Sequence, residues 1–170
     1  MIEPLPYQDY TAKAVLRHWE EVENKIHALQ ATRIGTDFQH DTYFYVSKGK
    51  LKWRKGTLEN LITHYERIID GDLERTLVYR YDWQPSWETI QKLLNTHVKI
   101  GEVTKERTIY RWQHLKIHLD KLIPHGFFIE VEAIDRTNSY TAAELKIACE
   151  NLLAQLEITS EDRIRTGYLS

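Results

Sequence analysis

The stretch "FFIEVEA", Phe127–Ala133, decides the fold. Side chains two apart in a strand share a face, so Glu130 and Glu132 point one way while Ile129 and Val131 point the other. A strand that is oily on one side and carries two acids on the other has two readings. The acids meet solvent, or they hold a metal or a cationic ligand. The neighbouring segments bear on the choice.

The same period of two sorts charge elsewhere. In "KLKWR", Lys50, Lys52 and Arg54 share one face, and Leu51 and Trp53 share the other. In "TKERTIY", Lys105 and Arg107 share a face. In "HLKIHLD", His114, Lys116, His118 and Asp120 stand opposite Leu115, Ile117 and Leu119. Arg67 and Arg75 sit at or beside the ends of two further strands. A sheet with a wet outer face and an oily inner one accounts for any single strand of this kind. Sorting by sign across several strands points elsewhere, because like charges directly opposite one another are unfavourable. Gathered Lys and Arg call for an anion, and two nearby carboxylates suit a divalent cation. Together they describe a metal–polyphosphate site, with Arg and Lys on phosphate oxygens and one or two carboxylates on the metal. Closing the sheet into a barrel would exclude water and strengthen each Coulomb interaction.

The remaining segments predict the frame. Val15, Trp19, Val22, Ile26 and Leu29 predict an amphipathic helix from Ala14 to Gln30, broken by "TRIGTD". From Phe38 to Glu132 most segments are short and strand-like, with turns at Ser47–Lys50 and Asp70–Asp72. A helix over Ser86–Thr96 interrupts them, with Ser86 as N-cap and Trp87, Ile90, Leu93 and Leu94 as its buried stripe. A last helix starts near Ala142. Thr141 and Glu144 have capping-box spacing there, and Leu145, Ala148, Leu152 and Leu156 form its apolar side. "EPLP", Glu3–Pro6, reads as an irregular lead-in. Seven or eight antiparallel strands with three peripheral helices predict an α+β barrel or strongly curved sheet.

Composition bounds the function. The chain has 170 residues, enough for one domain with a real core. A formal net charge of −2 excludes the globally basic balance of a nucleic-acid binder, so an anion site must be built locally. The single Cys149 excludes an internal disulfide framework and a cysteine zinc cluster, and its place on the apolar side of the last helix predicts burial. No apolar run spans a bilayer and nothing near Met1 reads as a secretory signal, so the expectation is a soluble protein in the reducing cytoplasm without a membrane partner. The eight histidines give no metal reading of their own, since only His114 and His118 share a strand face and His125 adds no coherent geometry. His118 is expected as a packed tunnel residue. Tyr43, Tyr65 and Tyr79 are expected as core residues or phosphate donors, and Gly126 as a residue easing a turn. The tryptophans of "YDWQPSW" are expected to pack on the following helix.

In this order, "FQHDTYF", "GKLKWR", "LITHYER", "VTKERTIY", "KIHLD" and "GFFIEVE" resemble the signature blocks of the CYTH superfamily, the triphosphate tunnel metalloenzymes, and most nearly its class IV adenylyl cyclase-like branch. The resemblance runs from Lys13 to about Tyr168. It implies a single domain over residues 1–170, with a core of about 9–168, folded as an eight-stranded antiparallel β-barrel lined with charge. It implies that Lys52, Arg54, Arg67, Lys105 and Arg107 grip a triphosphate, with Arg75 and Lys116 as helpers. Glu130, Glu132 and Asp120 would hold Mg2+ or Mn2+, and Lys13 and Asp120 would be catalytic. The implied activity is metal-dependent hydrolysis of a phosphoanhydride, with cyclisation of ATP to cyclic AMP as the alternative. The implied partner is ATP, thiamine triphosphate or tripolyphosphate, with no sequence-specific nucleic acid.

One block departs. Such proteins open with E-x-E-x-K on their first strand. "EVENK", Glu21–Lys25, matches those letters but falls inside the first predicted helix, where residues two apart diverge by about 200°. Family spacing selects "DYTAK", Asp9–Lys13, instead. Thr11 then replaces a glutamate and Asp9 shortens the other. A catalytically impaired triphosphate-binding module is the further alternative.

Overall fold

The computed structural model describes residues 7–71 and 73–164. The Glu3–Pro6 lead-in lies outside the described residues. Strand β1 (Tyr7–Val15) leads into helix α1 (Trp19–Ala28), then β2 (Thr32–Phe44), β3 (Lys50–Lys55), β4 (Leu61–Asp70) and β5 (Leu73–Trp83). Helix α2 (Trp87–Thr96) precedes β6 (Lys99–Trp112), β7 (Leu115–Leu122) and β8 (Gly126–Asp135); helix α3 (Ala142–Gln155) and a two-residue strand, β9 (Arg163–Ile164), follow. The sheet order is β5-β4-β3-β2-β6-β7-β8-β1-β9, and β1 also pairs with β5. That last pairing, Tyr7 opposite Val78 through Thr11 opposite Glu74, closes eight antiparallel strands into the predicted barrel. The fold is α+β, with three helices outside it.

The barrel is charged within and oily without. Outward-facing Tyr10, Ala12 and Ala14 of β1, Leu115, Ile117 and Leu119 of β7, and Ile129, Val131 and Ala133 of β8 form one buried apolar cluster with α1 and α3. Val22 and Ile26 come from α1, and Leu145, Cys149, Leu152 and Leu156 from α3. Phe44, Leu51 and Ile62 form a second cluster with Ile90 and Leu93 of α2. Helices α1 and α3 thus cover the apolar faces of β1, β7 and β8, and α2 covers Phe44, Leu51 and Ile62, while Phe38, Ile69 and Tyr79 stay exposed; the inner face can afford charge. The Cys149 thiol donates to the Tyr10 carbonyl at 3.3 Å, and burial pushes its titration up.

Several local expectations shift. Ala14 and Val15 belong to β1, not to a helix beginning at Ala14, because their pairing with Ile129 and Phe128 takes them into the sheet. "TRIGTD" does not simply break a helix; it is the first half of β2, with an irregularity in its pairing to β6 between Arg33 and Gly35. Ser86 caps α2 by accepting from the Thr89 amide, and Thr141 caps α3 by accepting from Glu144. In α2, however, only Ile90 and Leu93 are buried; Trp87 and Leu94 are exposed. Trp83 is exposed too and lies parallel to Tyr81, so the tryptophans of that loop do not pack on the helix as expected. In the turn before β3, Gly49 has φ +75°, and an added Cβ would stand 2.3 Å from the Tyr65 carbonyl oxygen. Only glycine fits there.

Candidate functional site

Inside the barrel lies a cavity of about 100 Å³. Strand alternation brings Asp9, Thr11 and Lys13 of β1, Asp41 and Tyr43 of β2, and Lys52 and Arg54 of β3 to its wall. Arg67 of β4, Lys105 and Arg107 of β6, Lys116 and His118 of β7, and Glu130 and Glu132 of β8 join them, with Glu59 and Arg136 from outside these strands. Eight Lys and Arg side chains line it against five Asp and Glu. The two glutamates of the opening stretch therefore face inward, not toward bulk water.

The cations fall into two groups. Arg54 donates from Nε and Nη2 to the two Asp41 oxygens, each at 2.9 Å, and the Lys105 ammonium donates to Asp41 Oδ2 at 2.6 Å. Burial alone would raise the Asp41 carboxyl, but Arg54, Lys105 and Lys52 hold it well below its ordinary range. Arg107 makes a similar fork with Asp120, at 2.7 and 2.8 Å. These bidentate pairs hold the guanidinium planes in fixed orientations. Lys52 differs. It is 8% exposed, and its ammonium has no hydrogen bond or ion pair among the described residues; it lies over the Tyr65 ring at 5.3 Å and the Tyr43 ring at 6.0 Å. Burial and the charge of Arg54 pull its titration well below that of an ordinary lysine. Arg67 donates to Glu74 at 2.5 Å, but its buried Nε has no partner.

Across the cavity, β8 sits between β7 and β1. Glu130 is opposite His118 on one side and Lys13 on the other. Glu132 is opposite Lys116 and Thr11. Lys13 Nζ stands 3.5 Å and Arg107 Nη2 3.7 Å from Glu130 Oε2. Burial pulls Lys13 down to about 8 despite Glu130. Burial would raise Glu130, but Lys13 and His118 among others hold it well below the carboxylate range. Glu132 is lowered despite its burial, chiefly by a hydrogen bond with Asp9, while burial and Glu132 push Asp9 well above its ordinary value. Burial likewise lowers the imidazole of His118.

His118, Glu130 and Glu132 place one donor atom each within 4.8 Å of one another, the arrangement among the described residues suited to a metal ion. His118 enters this group although no set of histidines does. Asp120, expected from the sequence as a further metal-facing acid, lies fully buried behind its fork with Arg107. Arg75 is not brought to the cavity: on the outward face of β5, its Nε donates to Gln8 at 2.9 Å. Tyr43 and Tyr65 line the cavity, whereas Tyr79 is exposed and packs edge-on against His64. His114 stacks on Tyr140 at 4.4 Å.

Sequence reasoning missed three acids. Asp41 carried a readable signal, since period two in "FQHDTYF" puts it on the face of Gln39 and Tyr43. Glu74 lies inward beside Arg67. Glu59 is on the loop after β3, where no period applies. Asp37 fixes that loop by accepting from the amides of Thr57, Leu58 and Glu59 at 2.7 to 3.0 Å, which turns Glu59 toward Arg54 at 3.6 Å and Lys116 at 3.5 Å.

The CYTH domain matches residues 10–168. The chain belongs to the CYTH family. Its CYTH barrel superimposes on the PH1012 protein of Pyrococcus horikoshii OT3 with TM-score 0.79 and 25% identity, covering 94% of this chain and 96% of that one. A conserved hypothetical protein from Pyrococcus furiosus gives 0.77 and 17%, with 95% and 98% covered. HpAC1 from Hippeastrum, described as having a dominant triphosphatase activity, gives 0.62 and 13%, with 95% and 91% covered. No curated protein matches this CYTH chain in sequence. Among the described residues, no helix is long and apolar enough to cross a membrane.

Proposed function

We propose that this CYTH protein binds a triphosphate inside its barrel and hydrolyses the terminal phosphoanhydride with the help of a divalent metal. The observation that carries the reading is Lys52, a buried side chain on the cavity wall with no hydrogen bond or ion pair among the described residues. A buried charge is strongly disfavoured unless paired. The lining holds eight Lys and Arg against five Asp and Glu, with Glu74 and Asp120 behind it on Arg67 and Arg107, and a polyanion would relieve the cationic excess that remains. Lys52 and the Nε of Arg67 would take phosphate oxygens first. Arg54, Lys105 and Arg107, held by Asp41 and Asp120, would present fixed positive edges to the rest. Lys116 closes the far wall.

Lys13 lies beside Glu130 and, with its titration near 8, holds or releases a proton close to neutral pH. We assign it to orienting the attacking water, and Asp120 to fixing the Arg107 fork that faces the phosphates. A metal ion bound at Glu130 and Glu132 would neutralise charge on the reacting phosphoryl group. The cavity suits ATP, thiamine triphosphate or tripolyphosphate alike, because the gripping groups address phosphate rather than what it carries. A single domain over residues 1–170, with a core of about 9–168, is proposed.

Thr11 favours a second reading. It faces Glu132 where the family motif would put a carboxylate, so metal loading is weakened relative to anion binding, and the protein would act as a triphosphate-binding module. One experiment separates the readings. The protein is incubated with tripolyphosphate, ATP or thiamine triphosphate and Mg2+ or Mn2+, and bound ligand, released phosphate and cyclic AMP are measured. Phosphate release abolished by Glu130→Gln supports hydrolysis. Binding without either product leaves the module. No binding of any of the three overturns both.

A further inference from the structure

The metal-facing wall contains an imidazole where an all-oxygen site would be expected. Glu130 Oε2 is occupied by Lys13 and Arg107, at 3.5 and 3.7 Å, which leaves Oε1 turned toward His118. His118 Nδ1 stands 3.8 Å from Oε1, too far for a hydrogen bond. Glu130 is the acid that faces the ring, and within hydrogen-bond distance neither ring nitrogen has a partner among the described residues, although His118 is 2% exposed and lines the cavity. The ring therefore keeps donor capacity on the cavity side.

The carboxylates that might complete an oxygen site are committed elsewhere. Both Asp120 oxygens accept from Arg107. Asp9 accepts from the Thr11 hydroxyl at 3.5 Å. Thr11 supplies only that hydroxyl. Two donors on one ion with bonds of about 2.1–2.2 Å stand at most about 4.4 Å apart. The donor atoms of His118, Glu130 and Glu132 all lie within 4.8 Å of one another, so small side-chain shifts bring them to one ion.

We propose that His118 is a direct metal ligand, and that the site is a one-histidine, two-carboxylate set selecting a first-row transition ion such as Mn2+ or Co2+ over Mg2+. The proposal rests on the triphosphate reading only in assuming that the metal faces the bound phosphates. Mg2+ prefers oxygen and retains its waters, whereas imidazole nitrogen suits the transition ions, with affinity rising from Mn2+ toward Co2+. The three protein donors leave open positions for phosphate oxygens.

Pulsed electron paramagnetic resonance of Mn2+ bound to the wild-type protein reads the ligand directly. Modulation from an imidazole 14N is the expected result, and its absence overturns the proposal. Mn2+ titrations of His118→Ala, with Mg2+ competition, give a second test. Mn2+ affinity should fall by at least about tenfold with Mg2+ affinity unchanged, so that selectivity collapses. Unchanged Mn2+ affinity, or equal loss of both ions, overturns it. Metal-free tripolyphosphate binding, followed by calorimetry, separates the two proposals. If wild type does not bind it, the triphosphate reading fails, while the 14N signal still decides the role of His118.

Discussion

Arg54 and Lys52 leave the same face of β3 two residues apart, yet only Arg54 is neutralised. Around Arg54, Lys105 and Arg107 the wall is a closed set of ion pairs built on Asp41 and Asp120. Around Lys52 and Arg67 it is built of tyrosine rings, with one acid, Glu74, on Arg67 and none on Lys52. The first region is at electrostatic rest without a ligand. The second is where the proposed anion would complete the pairing. Two cations on one strand thus divide between one locked in an ion pair and one that, in the proposed function, meets the triphosphate.

The sharpest way to break that contrast is Asp41→Ala. It strands two buried cations at once, and removing one partner of a buried pair costs about 3–5 kcal/mol. Denaturant unfolding of the variant should show a loss of that order. Lys52→Met should do the reverse. Removing an unpaired buried charge should leave stability equal or higher by the same measurement, while calorimetric affinity for tripolyphosphate falls roughly 10- to 100-fold, the worth of a charged hydrogen bond of about 1.5–3 kcal/mol. A destabilised Lys52→Met would erase the distinction between the two regions.

A pH series sharpens it further. Lys105 and Lys13 titrate near 8 in the free protein because burial lowers them. An anion favours the protonated amine, so both values rise on binding. Affinity should be full below pH 8 and decline as pH climbs above it, by up to about tenfold per pH unit for each lysine. Calorimetry in buffers of different ionisation enthalpy should detect proton uptake on binding at pH 8. The smallest effect is expected outside the barrel. Glu21→Gln, within the "EVENK" sequence, changes an exposed residue of α1 and should alter stability by less than about 0.5 kcal/mol and tripolyphosphate affinity not at all.

Strand periodicity was legible wherever it ran uninterrupted. Glu130 with Glu132, Lys52 with Arg54 and Lys105 with Arg107 share faces by alternation alone, and those faces meet in one cavity. Alternation failed at the edges of its reach. It said nothing of the loop that carries Glu59. It did not reveal that Arg75 is on the outward face of β5, because its position near a strand end left the parity unread. The hydrophobic pattern at Ala14 and Val15 fitted a helix equally well until pairing with β8 was known.

The sequence by itself determined the alternation of charge and oil, the capped starts of α2 and α3, and the identity of the groups available to a phosphate or a metal. Tertiary structure alone decided which of two faces was inside, since that depends on β1 pairing with β5 to close the ring and on helices covering the apolar side. It alone decided which cations found acids and which did not. Ion pairing depends on strand register and loop path, which bring Asp41 to Arg54 and Lys105 and leave Lys52 among tyrosines. A one-dimensional pattern fixes direction along a strand, but not the neighbour across it.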